Sequence, residues 1–496
     1  MKKRISFTLA LLLLLSSFAG CGETPNRETD ATADTVAVNP NMASDVETDS
    51  PTPHWDAVNK ISLGGITINA ECVEYDPNFY NVLDWEETTG DNLNDAVFNR
   101  NRFIEEQLDC LFVNHYGSAA NTLGQAVISG DGSVDIAYDL LSYGGSMLQK
   151  GYLKAFNSLS TIDMTQPYWD QGSIEDLSVL DQYYFGYLDF GFDHYDSMAV
   201  LFYNGAIIED NQMEDPYELY KNEQWTIAKF WEMIEQVSKD TNGDGQMRLD
   251  TDTYGLMGRE YLFQPMMFTS GVSIVSWDKE NETFSYNVNT ERFLQVVEAI
   301  GSIYQTSNSS YVDYSNYDAG RVAFSDGRAL FHSRLLGDFK NLRSVEDDYG
   351  LICFPRYDYS TDKSSNYVQN PTTLFLPLDV GDDNKDGKDD YDEIGIFLEA
   401  MGAYTFDVTI NEYLERAVIG KGMRDQNSVD MVRSMVQNRS FDLGYAFGLT
   451  NIHNTLASCI QANSKYASAA KKMEKSFQNS AKKIIDEIKD HLETYA

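Results

Sequence analysis

The chain has 496 residues, of which 42% are hydrophobic, so it can bury a large core and is long enough for two or three globular units. It carries 77 Asp and Glu against 37 Lys and Arg, a formal net charge of −40, which excludes nucleic acid as a partner. Beyond Cys21, the four cysteines Cys72, Cys110, Cys353 and Cys459 are widely spaced and form no CxxC pair. They predict neither a disulfide-dense scaffold nor a zinc site, and leave open one or two disulfides or four separate thiols.

The first 20 residues have the pattern of an export signal. Three cations, Lys2, Lys3 and Arg4, precede an apolar stretch at residues 9–15 that is too short to span a membrane permanently. Small residues, Ala19 and Gly20, then stand directly before Cys21. We expect cleavage after residue 20 and acylation of Cys21, which would hold the mature protein on the extracytoplasmic face of the cell membrane. The alternative is an ordinary secreted protein in which this cysteine occurs by chance.

The next segment, residues 21–58, is rich in Thr, Asp, Ala, Pro and Asn and predicts a flexible acidic tether. After it, apolar runs alternate between strand and helix periodicity, an order that indicates an α/β fold with a parallel sheet. The predicted elements of this first unit are strands at 61–70, 111–113 and 134–137 and helices at 93–108 and 120–128.

A second set of α and β segments follows at about residues 205–365, and further elements come after it. The predicted elements are strands at 198–203, 272–275, 329–331 and 373–378, helices at 227–237, 293–300 and 394–403, and an amphipathic packing stripe at 473–492. Thr226 is the expected N-cap of the helix at 227–237. We therefore predict lobe 1 from residues 59–200 and 373–424, and lobe 2 from residues 205–365 and 425–496.

An ordered series of motifs resembles the extracellular solute-binding lipoproteins of bacterial ABC importers, in their carbohydrate-binding class. The motifs are Gly90-Asp91-Asn92-Leu93 with Arg100-Asn101, Phe202-Tyr203-Asn204, Gln224-Trp225-Thr226, residues 240–245, residues 324–331, Phe354-Pro355-Arg356-Tyr357 and Phe441-Asp442-Leu443-Gly444. The resemblance implies a fold similar to that of maltose-binding protein, with two lobes joined by crossover strands and a ligand cleft between them. It would place the crossovers near 198–204 and 368–378. The loop at 246–253 is longer and more acidic than is usual in the family.

A sugar-binding cleft needs aromatic faces for the C–H surfaces of pyranose rings and charged or amide groups for the hydroxyls. Ligands of α/β sheets lie beyond the carboxyl ends of strands. We therefore predict ligand contacts from five residues near such ends: Asp139, Tyr143, Trp277, Arg334 and Tyr367. For each of them, a packing or solvated role is the alternative.

Two acidic loops have oxygen side chains at alternate positions before a glycine, as calcium-binding loops do. The first offers Asp240, Asn242, Asp244, Gln246 and Asp250, but Thr251 occupies its twelfth position. The second has every ligand position filled, by Asp382, Asn384, Asp386, the Lys388 carbonyl, Asp390 and Glu393. A structural calcium ion is predicted more strongly for the second loop, and solvated Asx turns are the alternative for both.

Enzyme signatures are absent from the sequence, which contains no HExxH, GxSxG, GxGxxG or GxxxxGK[ST] and only six scattered histidines. No catalytic residue or catalytic cofactor is predicted. The absence of enzyme signatures and the family resemblance together favour a monomeric, lipid-anchored receptor. It would capture a mono- or oligosaccharide and deliver it to the permease subunits of an ABC importer. A surface glycan-binding adhesin without a transporter is the alternative, and a glycan-active enzyme comes third.

Overall fold

A computed structural model describes residues 52–74, 80–258, 263–304, 309–312, 318–361, 365–383, 385, 387–449, 458 and 466–495. The predicted export signal, Cys21 and Cys459 lie outside the described residues, as do Asn384 and Asp386 of the second acidic loop. Residues 52–58, at the end of the predicted tether, include a short helix whose Trp55 side chain is buried. Within the described part of the chain, no helix has both the length and the apolar character that a membrane span requires.

The described strands form two five-stranded sheets and two two-stranded ribbons. In chain order they are β1 (Thr67–Val73), β2 (Leu111–Gly117), β3 (Ile136–Leu140), β4 (Leu153–Lys154), β5 (Ala199–Asn204), β6 (Tyr254–Gly258), β7 (Val275–Asp278), β8 (Thr283–Tyr286), β9 (Ser310–Val312), β10 (Ala329–Leu335), β11 (Tyr349–Ile352), β12 (Asn366–Tyr367), β13 (Thr372–Pro377) and β14 (Arg439–Ser440).

Helices cover the sheets and connect their strands. They are α1 (Pro53–Ala57), α2 (Asn92–Leu108), α3 (Ala119–Ser129), α4 (Gly144–Leu148), α5 (Gln171–Leu177), α6 (Asp193–Asp196), α7 (Gly205–Asp210), α8 (Pro216–Lys221), α9 (Ile227–Val237), α10 (Phe263–Thr269), α11 (Glu291–Tyr304), α12 (Ala319–Ser325), α13 (Phe339–Leu342), α14 (Tyr391–Tyr404), α15 (Gly420–Gly422), α16 (Gln426–Gln437), α17 (Leu443–Ala446) and α18 (Tyr466–Tyr495). Between α14 and α15 the helix continues, with wider π turns at Thr405–Thr409 and Glu412–Ile419.

The first sheet has the strand order β2-β1-β3-β13-β4, with β1 parallel to β2 and β3 and with β13 antiparallel to β3. Its first strand begins at Thr67, later than the predicted residue 61. The reason is a turn at Gly64 and Gly65, whose φ angles of 73° and 77° favour glycine over residues with a side chain. The helix α2 starts after Asp91, whose carboxylate accepts hydrogen bonds from the N–H groups of Leu93 and Asn94.

The second sheet has the order β11-β5-β10-β6-β9, in which β10 is antiparallel to β5 and parallel to β6. Its helix α9 has the predicted cap, because the Thr226 hydroxyl accepts a hydrogen bond from the Lys229 N–H. Each sheet with its helices makes one lobe, so the predicted α/β class with two lobes is confirmed. The second lobe also carries the hairpin of β7 and β8, which lies between α10 and α11 in sequence.

Three extended segments in which the described chain crosses between the sheets lie side by side, and the long helix from α14 to α15 makes a further connection that ends beside Tyr349 of the second sheet. Met198, just before β5, pairs with Val368, just before β13, and these positions agree with the two expected crossovers. A third crossover, β14, pairs in parallel with β12 and was not predicted from the sequence. The tail forms the predicted amphipathic helix, α18, which packs on the hairpin by stacking Phe477 on Tyr286, with the ring centroids 4.8 Å apart.

Candidate functional site

The carboxyl ends of the parallel strands in both sheets point toward the crossovers. In the first sheet Leu140, the last residue of β3, pairs with Thr372 at the start of β13. In the second sheet Leu335, the last residue of β10, pairs with Ala199 at the start of β5. The space between the lobes is therefore where ligands of α/β sheets bind. The residues that follow β1, β6 and β9 in sequence, 75–79, 259–262 and 313–317, lie outside the described residues.

A cavity of about 470 Å³ lies beside the crossovers and has walls from both lobes, and we call it the interlobe cavity. This volume is within the roughly 300–1,000 Å³ that small-molecule sites usually have. Its lining residues are Glu175 and Asp176 from α5, Phe268, Gly271, Val272, Ser273, Val275, Ser276, Trp277, Asp278 and Lys279 from the second lobe, and Ser365, Ser440, Phe441 and Leu443 from the crossover segments.

The hairpin that carries Trp277 is anchored by aromatic contacts to the core of the first lobe. The Trp277 ring lies 5.2 Å from that of Phe284, Phe284 lies 5.4 Å from Phe447, and Phe447 lies 5.0 Å from Phe185. We call these four residues the aromatic ladder. Because Trp277 itself is only partly buried, the ladder holds an indole in the cavity wall and leaves part of its surface available to a ligand.

Polar groups lie around this indole. The Asp176 carboxylate accepts hydrogen bonds from the Ser440 hydroxyl, at 2.7 Å, and from the Phe441 N–H, at 2.9 Å, so the third crossover fixes its position. Glu175 and Lys279 are exposed at the cavity. Hydrogen bonds from Asn281 lower the pKa of Asp278, which keeps that carboxyl ionised. Aromatic, carboxylate and hydroxyl groups together are the set that binds a polyhydroxylated ring.

A buried ionic cluster ties the third crossover to the first lobe. The Arg439 guanidinium lies 2.5 Å from the Asp170 carboxylate and 4.1 Å from the centroid of the Tyr195 ring. The Tyr195 hydroxyl in turn donates a 2.7 Å hydrogen bond to Asp189. Burial raises the pKa of Asp189 to about 6, although this hydrogen bond and the charge of Arg439 oppose the rise. The cluster fixes the position of β14, and it therefore also fixes the positions of Ser440 and Phe441 in the cavity wall.

Of the five predicted ligand residues, one lines the interlobe cavity and a second lies behind its wall. Trp277 lines it, as a member of strand β7 and not after a strand ending at Val275 as the sequence indicated. Tyr367 is 1% exposed, and its ring lies 4.9 Å from that of Phe268, which lines the cavity. Tyr367 therefore lies directly behind the wall.

The structure does not bring the other three predicted ligand residues to this cavity. Asp139 is buried inside β3 and accepts hydrogen bonds from the N–H groups of Ala120 and Leu140, both at 2.8 Å. Tyr143 is exposed at a separate cavity on the surface of α3 and α4. Arg334 is buried inside β10 and makes two hydrogen bonds to Asp338, of 2.6 and 2.9 Å. Ligand contact by these residues stays a prediction.

Four residues of the cavity wall were not predicted from the sequence as site residues: Glu175, Asp176, Phe268 and Phe441. Phe441 belongs to a motif of the family resemblance, and that is the one signal that could have pointed to it. Glu175 and Asp176 lie on a short helix, α5, whose sequence has no unusual spacing. They become site residues only because α5 packs beside β14 and α17.

The first acidic loop has the geometry of Asx turns. The Asp240 carboxylate accepts hydrogen bonds from the N–H groups of Gly243 and Gly245, both at 2.7 Å, and Asp244 accepts one from the Gln246 N–H at 2.8 Å. Among the residues that the structure describes, no group of three or more His, Cys, Asp and Glu side chains is placed to hold a metal ion. The structure thus lends the predicted calcium ion no support in this loop.

Comparison with solved structures assigns the fold. No protein-family model matches the chain, and no curated protein matches its sequence. An ABC substrate-binding protein from Listeria monocytogenes in complex with cycloalternan matches with a TM-score of 0.53 at 11% identity, over 84% of this chain and 99% of that one. A maltose/maltodextrin-binding domain from Bdellovibrio bacteriovorus bound to maltotriose matches with a TM-score of 0.51 at 12% identity, over 86% and 100%.

A family 1 extracellular solute-binding protein from Bifidobacterium longum subsp. infantis is similar to the same degree, with a TM-score of 0.52 at 12% identity over 86% of this chain and 100% of that chain. At these identities the likeness shows the fold alone. The fold is the two-lobed one of the extracellular solute-binding proteins, which confirms the resemblance at the level of structure.

Proposed function

We propose that the protein captures a mono- or oligosaccharide between its two lobes and presents it to an ABC importer. The observation that carries this proposal is the interlobe cavity, in which a partly buried Trp277 from the second lobe shares a ligand-sized space with Glu175 and Asp176 from the first. The solved structures of the same fold that bind maltotriose and cycloalternan support a sugar as the cargo. Acylation of Cys21 would hold the receptor at the membrane beside the permease.

The mechanism that fits this geometry is a shift of population between open and closed lobes. A ligand that touches both lobes binds the closed form more tightly, so it stabilises closure in proportion to that difference in affinity. No covalent bond is made or broken. The closed form would be the one that the importer recognises.

Replacing Trp277 with alanine is expected to weaken saccharide binding about 30-fold, because losing the apolar face of the indole costs about 2 kcal/mol. The measurement is calorimetry against a glycan library, followed by titration of the variant with the best ligand. Trp231→Ala is the matched control, since Trp231 is partly buried on α9 and does not line the interlobe cavity. Equal affinities of wild type and Trp277→Ala would exclude this cavity as the site, and a library without any binder would exclude a saccharide.

We also propose that the loop at 382–393 holds a calcium ion. The Gly387 N–H donates a 3.0 Å hydrogen bond to Asp382, and α14 begins directly after Asp390. The Asp390 side chain is 3% exposed and accepts a hydrogen bond from the Asp383 N–H through one oxygen, while its other oxygen, Oδ1, has no partner among the described residues. A hard cation would satisfy that buried oxygen.

Calcium in about 100-fold excess over its dissociation constant is expected to stabilise the fold by about 2.7 kcal/mol, and a chelator should remove this gain. The measurement is thermal unfolding with calcium and with chelator, together with equilibrium dialysis for one ion per chain. Glu393→Gln should abolish the response, whereas Asp250→Asn in the first loop should leave it unchanged. Identical melting with and without chelator, and no ion in dialysis, would refute the site.

A further inference from the structure

A second cavity, of about 260 Å³, lies between the lobes on the side of the long helix that follows α14, and we call it the basic cavity. Its lining includes residues from the start of α2 in the first lobe, from α13 in the second lobe, and from the π-helical segment Glu412–Ile419. The rings of Tyr80, Phe339 and Tyr413 form its walls.

The charge of this cavity is opposite to that of the protein. Four cations, Lys340, Arg343, Arg416 and Lys421, line it against two acids, Asp91 and Glu412, although the whole chain carries a formal charge of −40. A partly enclosed group of like charges creates a local potential that attracts counter-ions.

The acids at the cavity, and a buried acid beside it, already interact with other groups of the protein. Glu412 pairs with Arg416 at 3.0 Å through Oε1, while its Oε2 has no partner among the described residues, and Asp91 caps helix α2. Lys340 pairs at 2.8 Å with Asp196, a buried residue of α6. Two cations, Arg343 and Lys421, therefore lack a carboxylate partner among the described residues. The guanidinium of Arg343 lies over the Phe339 ring, 5.3 Å from its centroid, which holds this charge beside the cavity.

From this arrangement we infer that the basic cavity binds the anionic group of an acidic saccharide, namely a carboxylate, sulfate or phosphate ester. The Arg343 guanidinium would make paired hydrogen bonds to such a group, and the Lys421 ammonium would add a point charge. The inference rests on the proposed function and narrows its substrate class to acidic saccharides. The basic cavity shares no lining residue with the interlobe cavity, so the anion would occupy a subsite separate from the Trp277 wall.

The test is calorimetry with matched pairs of saccharides: digalacturonic acid and its neutral counterpart, and glucose beside its 6-sulfate and 6-phosphate. One anionic member is expected to bind at least about tenfold more tightly than its neutral counterpart, a ratio that corresponds to ~1.4 kcal/mol. This preference should shrink as salt is raised. The double variant Arg343→Gln/Lys421→Gln should lose this preference. The pair of saccharides for which the wild type shows the preference identifies the anion.

The control is Arg433→Gln/Lys482→Gln, which removes the same charge from two exposed residues outside the cavity and should keep the preference. Both double variants should melt as the wild type does, because they change exposed side chains. Sugar binding without an anionic preference, or with a preference that the cavity variant retains, would overturn this inference and leave the proposed function standing. Failure of every saccharide to bind would instead overturn the proposed function, and this inference with it.

Discussion

Replacing Arg439 with leucine is expected to destabilise the fold by about 3–5 kcal/mol, because it leaves buried carboxylates without their counter-charge. The Arg439 side chain is 9% exposed and that of Asp170 is 6% exposed, so burial limits how far solvent can replace the lost partner. Asp189, in the same cluster, would lose the positive charge that opposes the rise of its pKa. The second replacement, Asp170→Asn, should recover part of the loss when it is combined with Arg439→Leu.

The measurement is the free energy of unfolding from denaturant titration of both single variants and the double variant. Arg433→Leu is the control, because its ion pair with Glu415 is solvent-exposed and such pairs contribute about 1 kcal/mol or less. A loss in Arg439→Leu no larger than in Arg433→Leu would show that the buried cluster does not stabilise the third crossover.

Replacing Phe447 with alanine is expected to cost about 3–5 kcal/mol of stability, the usual effect of emptying a fully buried aromatic site. Phe447 is 0% exposed and is the member of the aromatic ladder that joins the hairpin of the second lobe to Phe185 of the first. We expect ligand affinity to fall as well, because Trp277 reaches the cavity wall through this ladder.

Unfolding and calorimetric titration of the same variant separate these two effects. Phe98→Ala, at a partly exposed position on α2, is the control and should cost about 1 kcal/mol or less. If Phe447→Ala lost stability and bound the saccharide as tightly as the wild type, the ladder would be a core feature without influence on the site.

Long, strongly periodic segments were predictable because many residues repeat the same signal. The helices α2, α9 and α18 follow from apolar residues at steps of three and four, and the cap Thr226 follows from its side-chain oxygen. Two-residue strands such as β4, β12 and β14 were not predictable, since two residues cannot show a period of two. Strand limits shifted for the same reason: Trp277 and Arg334 proved to be within strands that were expected to end before them.

The amino-acid sequence alone was enough for the α/β class, since local periodicity encodes it. The two principal crossovers were implied by the ordered motifs that resemble the solute-binding proteins. The site depended on tertiary structure. Asp176 meets Ser440, and Arg439 meets Asp170, only when the third crossover returns beside α5, and contacts between such distant positions leave no local pattern in one sequence. For the same reason the cations of the basic cavity, which come from α13 and from the long helix, were visible as a group only once the chain was folded.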